Sequence, residues 1–248
     1  MMGGLRLVSA LGARTRPERP AGEPAGHKEI VDLLVDQLPR DLPPPGLVLL
    51  SYAAPDVNGN QTVASYLNMR TGGQAHSFAV SGQGLGGPFS ALRVARAYAG
   101  EAGTSVLAIV ECRTPDGLDA PQEATGVLLA FGGAAGPLVE PAAADRPAAL
   151  LREHGRLLVV LGPTADPAAL GVPAGADVHR VPAGGYCTSV WLALARHWTR
   201  WSATYPAIAL CDTDPLHGTG HVAVLHGMRD GAGSAGAAGR AAAEGSST

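Results

Sequence analysis

Short apolar runs and segments with helical periodicity alternate along most of this 248-residue chain. The apolar runs are continuous rather than alternating with polar residues. Such runs are typical of strands in a sheet that helices cover on both faces. Strands are therefore predicted at 5–10, 47–53, 78–81, 105–111, 125–131, 157–161, 178–181, 207–211 and 221–225.

Helices are predicted between these strands, from apolar residues at helical spacing and from the residues that end each segment. In the segment 88–99, Pro88 stands in the first turn and Gly100 follows the last one, which is the usual asymmetry of helix ends. The predicted helices span 27–38, 62–70, 88–99, 147–154 and 189–198.

One arrangement of elements occurs twice along the chain. FAVSGQG, a helix, VLAIVE and GVLLAF follow one another in the first half, and HRVPAGGYC, a helix, AIALCD and HVAVLH in the second. This weak internal duplication predicts an α/β protein of two pseudo-repeated halves, 1–133 and a shortened 134–228. The segment 229–248 consists almost entirely of Gly, Ala, Ser and Arg, and it is predicted to be a disordered tail.

Composition and charge exclude several classes of function. A net charge of −3 provides no basic surface for nucleic acid or for an anionic membrane. No run of about 18 apolar residues is present, and the N-terminal apolar stretch is too short for a signal peptide, so a cytoplasmic protein is expected. The three cysteines are far apart and form no CxxC pair, which argues against a disulfide framework or a structural zinc site.

The glycine-rich turn after FAV allows two interpretations. Gly82-x-Gly84-x-x-Gly87 matches the dinucleotide fingerprint, and Glu111 ends the next strand, where a ribose-binding acid is expected. An NAD(P)-binding oxidoreductase is therefore one alternative. However, that fingerprint normally follows the first strand of its domain, and here at least two strand–helix units precede it.

The second interpretation rests on longer segments of the chain. LVLLSYAAPDVNGNQTVASYLNMRTGG, SFAVSGQGLGGPFSALRVARAYAGEAGTSVLAIVE and DAPQEATGVLLAF resemble successive strand, turn and helix segments of the thiolase-like superfamily. Within it, they are similar to the type III (beta-ketoacyl synthase-like) ketosynthases. The resemblance covers about residues 4–226 and implies a thiolase-like layered α-β-α-β-α fold.

The resemblance also implies a catalytic set of Cys, His and Asn that this chain lacks. The family's cysteine position falls on Gly84, the stretch VVLGPTAD has no histidine, and GYCTS has no asparagine. Conventional Claisen condensation is therefore not expected.

The function implied by the resemblance is the binding or transfer of acyl thioesters in polyketide or other specialised-metabolite biosynthesis. The substrate would be acyl-CoA or a phosphopantetheine thioester on an acyl carrier protein, with no resident cofactor or metal. The protein would form a homodimer, or a heterodimer with a ketosynthase, through an edge strand of the first half. A non-catalytic scaffold or chain-length-factor-like partner of an active ketosynthase is the alternative.

A more specific hypothesis places the active site at Cys187 instead of at the family's cysteine position. Cys187 precedes the second buried helix, whose N-terminus would favour a thiolate, and His217 or His221 could act as its base. The alternative is that Cys187 is a small buried hydrophobe and that the histidines are ordinary loop residues.

Three residues of the glycine turn are predicted to bind substrate together with His221. Ser81 and Gln83 could hydrogen-bond a thioester or amide, and the backbone at Gly84 could face a carbonyl group. Simple turn chemistry is the alternative for Ser81 and Gln83. The remaining candidates are assigned structural roles: Asp212 and Asp214 as a poor cation site, Trp191, Trp198 and Trp201 in the core or an interface, Asp56, Asn58 and Asn60 in a turn, and Cys112 and Cys211 as buried thiols.

Overall fold

The structure is a computed structural model. It describes residues 4–15, 25–56, 62–101, 103–119, 123–133, 135–142 and 147–228. The predicted tail 229–248 lies outside the described residues, as do Asn58 and Asn60 of the predicted turn.

The described residues of the first half form five strands and three α-helices. In chain order they are β1 (Leu7–Arg14), α1 (His27–Val35), β2 (Leu47–Ser51), α2 (Val63–Arg70), β3 (His76–Val80), α3 (Gly87–Tyr98), β4 (Ser105–Glu111) and β5 (Thr125–Phe131). The strands form one mixed sheet in the order β1-β5-β4-β2-β3. Strand β2 pairs in parallel with β3 and β4, whereas β5 runs antiparallel to β1 and β4.

The second half repeats this strand order. Its elements are β6 (Leu138–Pro141), α4 (Pro147–Arg152), β7 (Leu157–Leu161), β8 (Asp177–Arg180), α5 (Ser189–Thr204), β9 (Ala207–Thr213) and β10 (Gly220–His226). The sheet order is β6-β10-β9-β7-β8, so each strand takes the place of its counterpart in the first half. The predicted pseudo-repeat is therefore confirmed. Where the first half has α2, residues 162–176 form turns.

Three apolar cores produce a five-layer α-β-α-β-α arrangement, as predicted. The central core contains Phe89 and Leu92 of α3 and Trp191 and Leu194 of α5, packed between the two sheets. Helices α1 and α2 cover the outer face of the first sheet, and α4 covers that of the second. The start of α5 therefore lies at the centre of the molecule, between the two sheets.

Several side chains have the surroundings that the sequence predicted. Trp191 and Trp201 belong to the central core, and Trp198 packs against it. Cys211 is buried, whereas Cys112 is only half-buried because it lies one residue beyond the end of β4. Within the described residues, no helix is long and apolar enough to cross a membrane.

Candidate functional site

A groove of about 1250 Å³ runs along α5 and is called here the α5 groove. Polar and charged side chains lie in it where the two halves meet: Glu111 at the end of β4, Tyr186 and Ser189 at the start of α5, and Asp212 near the end of β9. Leu85, from the turn before α3, lines the same space. A large cleft with a few convergent polar groups is the usual form of a ligand site.

Apolar side chains from several elements form the walls of the groove. Leu118 follows β4, Val181 follows β8, and Leu192 and Ala193 belong to α5. Gly12 of β1 lies close to α5: a Cβ on this residue would stand 3.4 Å from the side chains of both Leu192 and Ala195. The groove therefore combines an apolar wall with polar groups near the start of α5.

Glu111 anchors the start of α5 to the first half of the chain. Its carboxylate accepts hydrogen bonds from the backbone N–H of Tyr186 at 2.9 and 3.0 Å and from that of Thr188 at 3.1 Å. The Thr188 hydroxyl donates to the same carboxylate at 3.1 Å, so its oxygen accepts from Thr125 at 2.8 Å. A carboxylate at a helix start satisfies N–H groups that lack partners within the helix. Because its carboxylate is already occupied by these hydrogen bonds, Glu111 is a poor candidate for a ribose ligand. This argues against the dinucleotide interpretation, although binding of NAD(P) stays an untested prediction.

Ser189 and Asp212 form a second buried pair at the start of α5. The Ser189 hydroxyl donates to Asp212 Oδ2 at 2.9 Å, and the Thr213 N–H donates to Oδ1 at 2.9 Å. Gly162 leaves the room for this carboxylate, which occupies the position where a Cβ on residue 162 would stand. Burial raises the pKa of Asp212 to about 7, against the effect of the two hydrogen bonds.

The glycine turn between β3 and α3 faces Tyr186 and Asp214. A short 3-10 turn spans Gly84–Gly86, and Gly84 has φ +50°, where residues with a Cβ are disfavoured. A Cβ on Gly84 would lie 2.7 Å from both Tyr186 Oη and Asp214 Oδ2. The Leu85 N–H donates to Tyr186 Oη at 3.0 Å, and the Tyr186 hydroxyl donates to Asp214 Oδ2 at 3.1 Å. The space beside residue 84 is thus filled by a hydrogen-bonded pair.

Asp214 also organises the loop between β9 and β10. The Leu216 N–H donates to Asp214 Oδ1 at 2.9 Å, and His217 Nδ1 lies 3.2 Å from Oδ2. Burial alone would raise the pKa of Asp214, but the hydrogen bonds from Leu216, His217 and Tyr186 hold it below its usual value. The partner of His217 on this loop is therefore a carboxylate.

His221 lies beside the same turn. A Cβ on Gly86 would lie 2.7 Å from its Cε1, and its ring stacks on Phe89 with centroids 5.3 Å apart. Burial, with a smaller effect of the Arg93 charge, lowers the pKa of His221 and favours the neutral imidazole. The structure thus brings His217 and His221 close to the glycine turn, whereas the sequence hypothesis paired one of them with Cys187.

Cys187 has surroundings that disfavour a nucleophile. Its side chain is 2% exposed, and its Sγ lies 3.8 Å from the carbonyl oxygen of Val110. Burial, together with the Glu111 charge, raises the pKa of the Cys187 thiol well above its usual value. The thiolate is the reactive form of cysteine, so this environment acts against the proposed Cys187–His217 pair. The catalytic roles of both residues stay predictions.

Ser81 and Gln83 are exposed on the turn, where the Gln83 carbonyl accepts a hydrogen bond from the Gly86 N–H at 2.9 Å. Their roles in substrate binding, like those of Gly84 and His221, stay predictions. In the described part of the chain, no three His, Cys, Asp or Glu side chains are arranged to hold a metal ion.

Sequence reasoning did not single out Tyr186 or Ser189, and it assigned Asp212 only to a poor cation site. One signal was available, because Glu111 and Asp212 are charged residues at the ends of otherwise apolar strands.

Comparisons with known proteins identify the fold. No protein-family model matches the chain, and no curated protein matches it significantly. Among solved structures, ChlB3, described as an acyltransferase, is similar with 13% identity and a TM-score of 0.65, over 92% of this chain and 99% of that one.

Two further solved structures are similar to this chain to a comparable degree. The 3-oxoacyl-(acyl carrier protein) synthase III of Pseudomonas aeruginosa has 12% identity and a TM-score of 0.56, over 92% of this chain and 99% of that one. The ishigamide ketosynthase/chain length factor has 18% identity and a TM-score of 0.56, over 82% of this chain and 80% of that one. At these identities the likeness shows the fold alone, which is thiolase-like.

Proposed function

We propose that this thiolase-like protein binds acyl thioesters in the α5 groove, as part of polyketide or other specialised-metabolite biosynthesis. We propose further that it carries out no conventional Claisen condensation at the Gly84 turn. The observation that carries this second part is the occupied space at the turn, where Tyr186 Oη and Asp214 Oδ2 stand 2.7 Å from the position of a Cβ on residue 84. A cysteine in that position would fit only if the hydrogen-bonded side chains of Tyr186 and Asp214 moved away.

The chemistry of the groove supports the choice of ligand. An acyl chain is apolar and fits beside Leu192, Ala193 and Val181, whereas a thioester carbonyl and a pantetheine amide need polar partners such as those near the start of α5. Arg196, which also lines the groove, offers a cation to the phosphate groups of coenzyme A or phosphopantetheine. The acyltransferase and synthase activities ascribed to structural neighbours support the same substrate class.

Calorimetric titration with a non-cleavable thioether analogue of an acyl-CoA tests the proposal. The variant Leu192→Trp would obstruct the part of the groove beside α5 and should weaken binding at least tenfold. Leu33→Trp is the matched control, because Leu33 is 39% exposed on α1, on the outer face of the first sheet. If the wild-type protein binds no analogue, or if both variants bind as well as the wild type, the proposal is wrong.

A non-catalytic, chain-length-factor-like partner of a ketosynthase is the second candidate. The favouring observation is strand β3, which ends its sheet and exposes His76, Phe78 and Ala79 along its length. An unpaired edge of this kind can pair with another chain. Light scattering of the wild type and of Phe78→Glu tests for a homodimer, since the variant should then be monomeric. A wild-type monomer that co-purifies with a co-expressed ketosynthase would favour this candidate.

A further inference from the structure

Ser189 is buried like Cys187, at 4% exposure, but unlike Cys187 it lines the α5 groove. Ser189 is the first residue of α5 and lines the α5 groove, two residues after the buried cysteine. Its hydroxyl donates to Asp212 Oδ2 at 2.9 Å, and Asp212 lines the same groove. A nucleophile within hydrogen-bond distance of a base that a third group orients is the usual pattern of covalent catalysis.

We infer that Ser189 is an acyl-accepting nucleophile and that Asp212 is its general base. This inference rests on the proposed binding of acyl thioesters and specifies where they react. The reacting centre is then the start of α5, not the Gly84 turn.

The chemical step needs only the thioester and these two side chains. The Ser189 Oγ forms a bond to the thioester carbonyl carbon while its proton passes to the ionised Asp212 carboxylate. The carbon–sulfur bond then breaks, and the leaving thiolate takes the proton from Asp212. The product is an acyl–serine ester, whose acyl group an alcohol, an amine or water can accept by the reverse proton transfers.

Backbone groups near Ser189 suit the charge that this step develops. The first hydrogen bond within α5 runs from the Leu192 N–H to the Thr188 carbonyl, so the N–H groups of Ser189, Val190 and Trp191 have no acceptor inside the helix. N–H groups at a helix start stabilise negative charge, including that of a tetrahedral intermediate.

The position of Asp212 is fixed on two sides. The Thr213 N–H binds its Oδ1, and Gly162 leaves room for the carboxylate. Burial, and to a lesser degree the charges of Asp214 and Glu111, raise the pKa of Asp212 to about 7, against the hydrogen bonds from Ser189 and Thr213. A carboxylate that titrates near neutrality is effective both in accepting and in returning a proton.

Intact-protein mass spectrometry after incubation with acyl-CoA and acyl-pantetheine thioesters tests the inference. The wild type should gain the mass of one acyl group, located on the tryptic peptide 181–196. This adduct should resist neutral hydroxylamine, which cleaves thioesters but leaves ordinary oxygen esters. The adduct should disappear in Ser189→Ala and form at least tenfold more slowly in Asp212→Asn. Ser189→Cys should restore acylation, now sensitive to hydroxylamine.

Two variants serve as matched controls. Cys187→Ala removes the other nucleophile of the same peptide, and Ser90→Ala removes a serine hydroxyl of α3 that contacts Arg93. Both should acylate like the wild type. An adduct that survives Ser189→Ala or disappears in Cys187→Ala would overturn the inference. The inference would also be overturned if the wild-type protein bound the thioether analogue but was never acylated. In that case the proposed function, acyl-thioester binding, would still stand. Absence of any analogue binding would instead remove the proposed function itself.

Discussion

Replacement of Gly84 by alanine should destabilise the protein more than its backbone conformation alone explains. A residue with a Cβ at positive φ costs roughly 1–2 kcal/mol. At Gly84 (φ +50°) the Cβ would also displace the Tyr186 hydroxyl, which lies 2.7 Å away and is held by Leu85 and Asp214. Loss of these two hydrogen bonds, one of them to a carboxylate, adds about 2–4 kcal/mol.

Gly73→Ala is the matched control for this prediction. Gly73 also has a positive φ, +76°, and a Cβ there would meet nothing within 4 Å. Urea unfolding of the two variants therefore separates the steric cost from the backbone cost. In a Tyr186→Phe background, the extra cost of Gly84→Ala should fall by about 1 kcal/mol or more, because the two changes remove the same contact. Equal losses of stability in Gly84→Ala and Gly73→Ala would refute the claim that this position is filled.

Three further predictions concern two buried carboxylates and the cysteines. Glu111→Ala should lower the free energy of unfolding by about 3 kcal/mol or more, because three buried donors lose their acceptor. Glu111→Gln keeps an oxygen acceptor and should lose less stability. Equal losses of stability in the two variants would contradict the role of Glu111 in capping α5. Because the pKa of Asp212 is raised to about 7, the folded protein retains a proton that the unfolded chain releases. The wild type should therefore lose stability as the pH rises from about 4 to about 7, and urea unfolding of Asp212→Asn across this range should show a smaller loss. In native-state thiol labelling, Cys112 should react before Cys187 and Cys211, because burial raises the pKa of the latter two thiols. Rapid labelling of Cys187 would contradict its burial in the core.

Strands at the centre of each sheet could be predicted from the sequence, whereas the edge strands β1, β3 and β8 were predicted with shifted bounds and the edge strand β6 was missed. The bounds of β4, β5 and β7 agree with their apolar runs, because burial on both faces requires an uninterrupted run. Strand β6 was missed, since Leu138–Pro141 has four residues and alternates between buried and half-buried positions at an edge. Strand β1 continues to Arg14, four residues beyond the predicted end. Like β6, it lies at the edge of its sheet, and its residues alternate irregularly between buried and exposed positions.

Helix ends were less predictable where tertiary packing extends a helix. Helix α5 runs to Thr204, whereas the apolar pattern predicted an end at residue 198. The extension carries Trp201, which is buried in the central core and packs beside His179 and His197. These contacts come from β8 and from the preceding turn of α5, so local periodicity alone did not predict them.

The glycine turn could be located from the sequence, whereas the polar contacts at the start of α5 could not be predicted from it. The glycine turn was predicted at the correct place, because a strand, glycines and a helix follow one another locally. The Ser189–Asp212 pair and the Glu111 cap join the start of α5 to strands of two different sheets. Such contacts depend on how the halves pack together, and no spacing along the chain encodes that packing.

A crystal structure of the protein with a non-cleavable acyl-CoA thioether analogue is the decisive test of acyl-thioester binding in the α5 groove. The acyl chain should lie along α5 beside Leu192 and Ala193, with the thioether sulfur near the start of that helix. The Tyr186–Asp214 hydrogen bond beside Gly84 should remain in place. An analogue bound elsewhere, or one whose sulfur displaces Tyr186 and reaches the Gly84 turn, would contradict this binding mode.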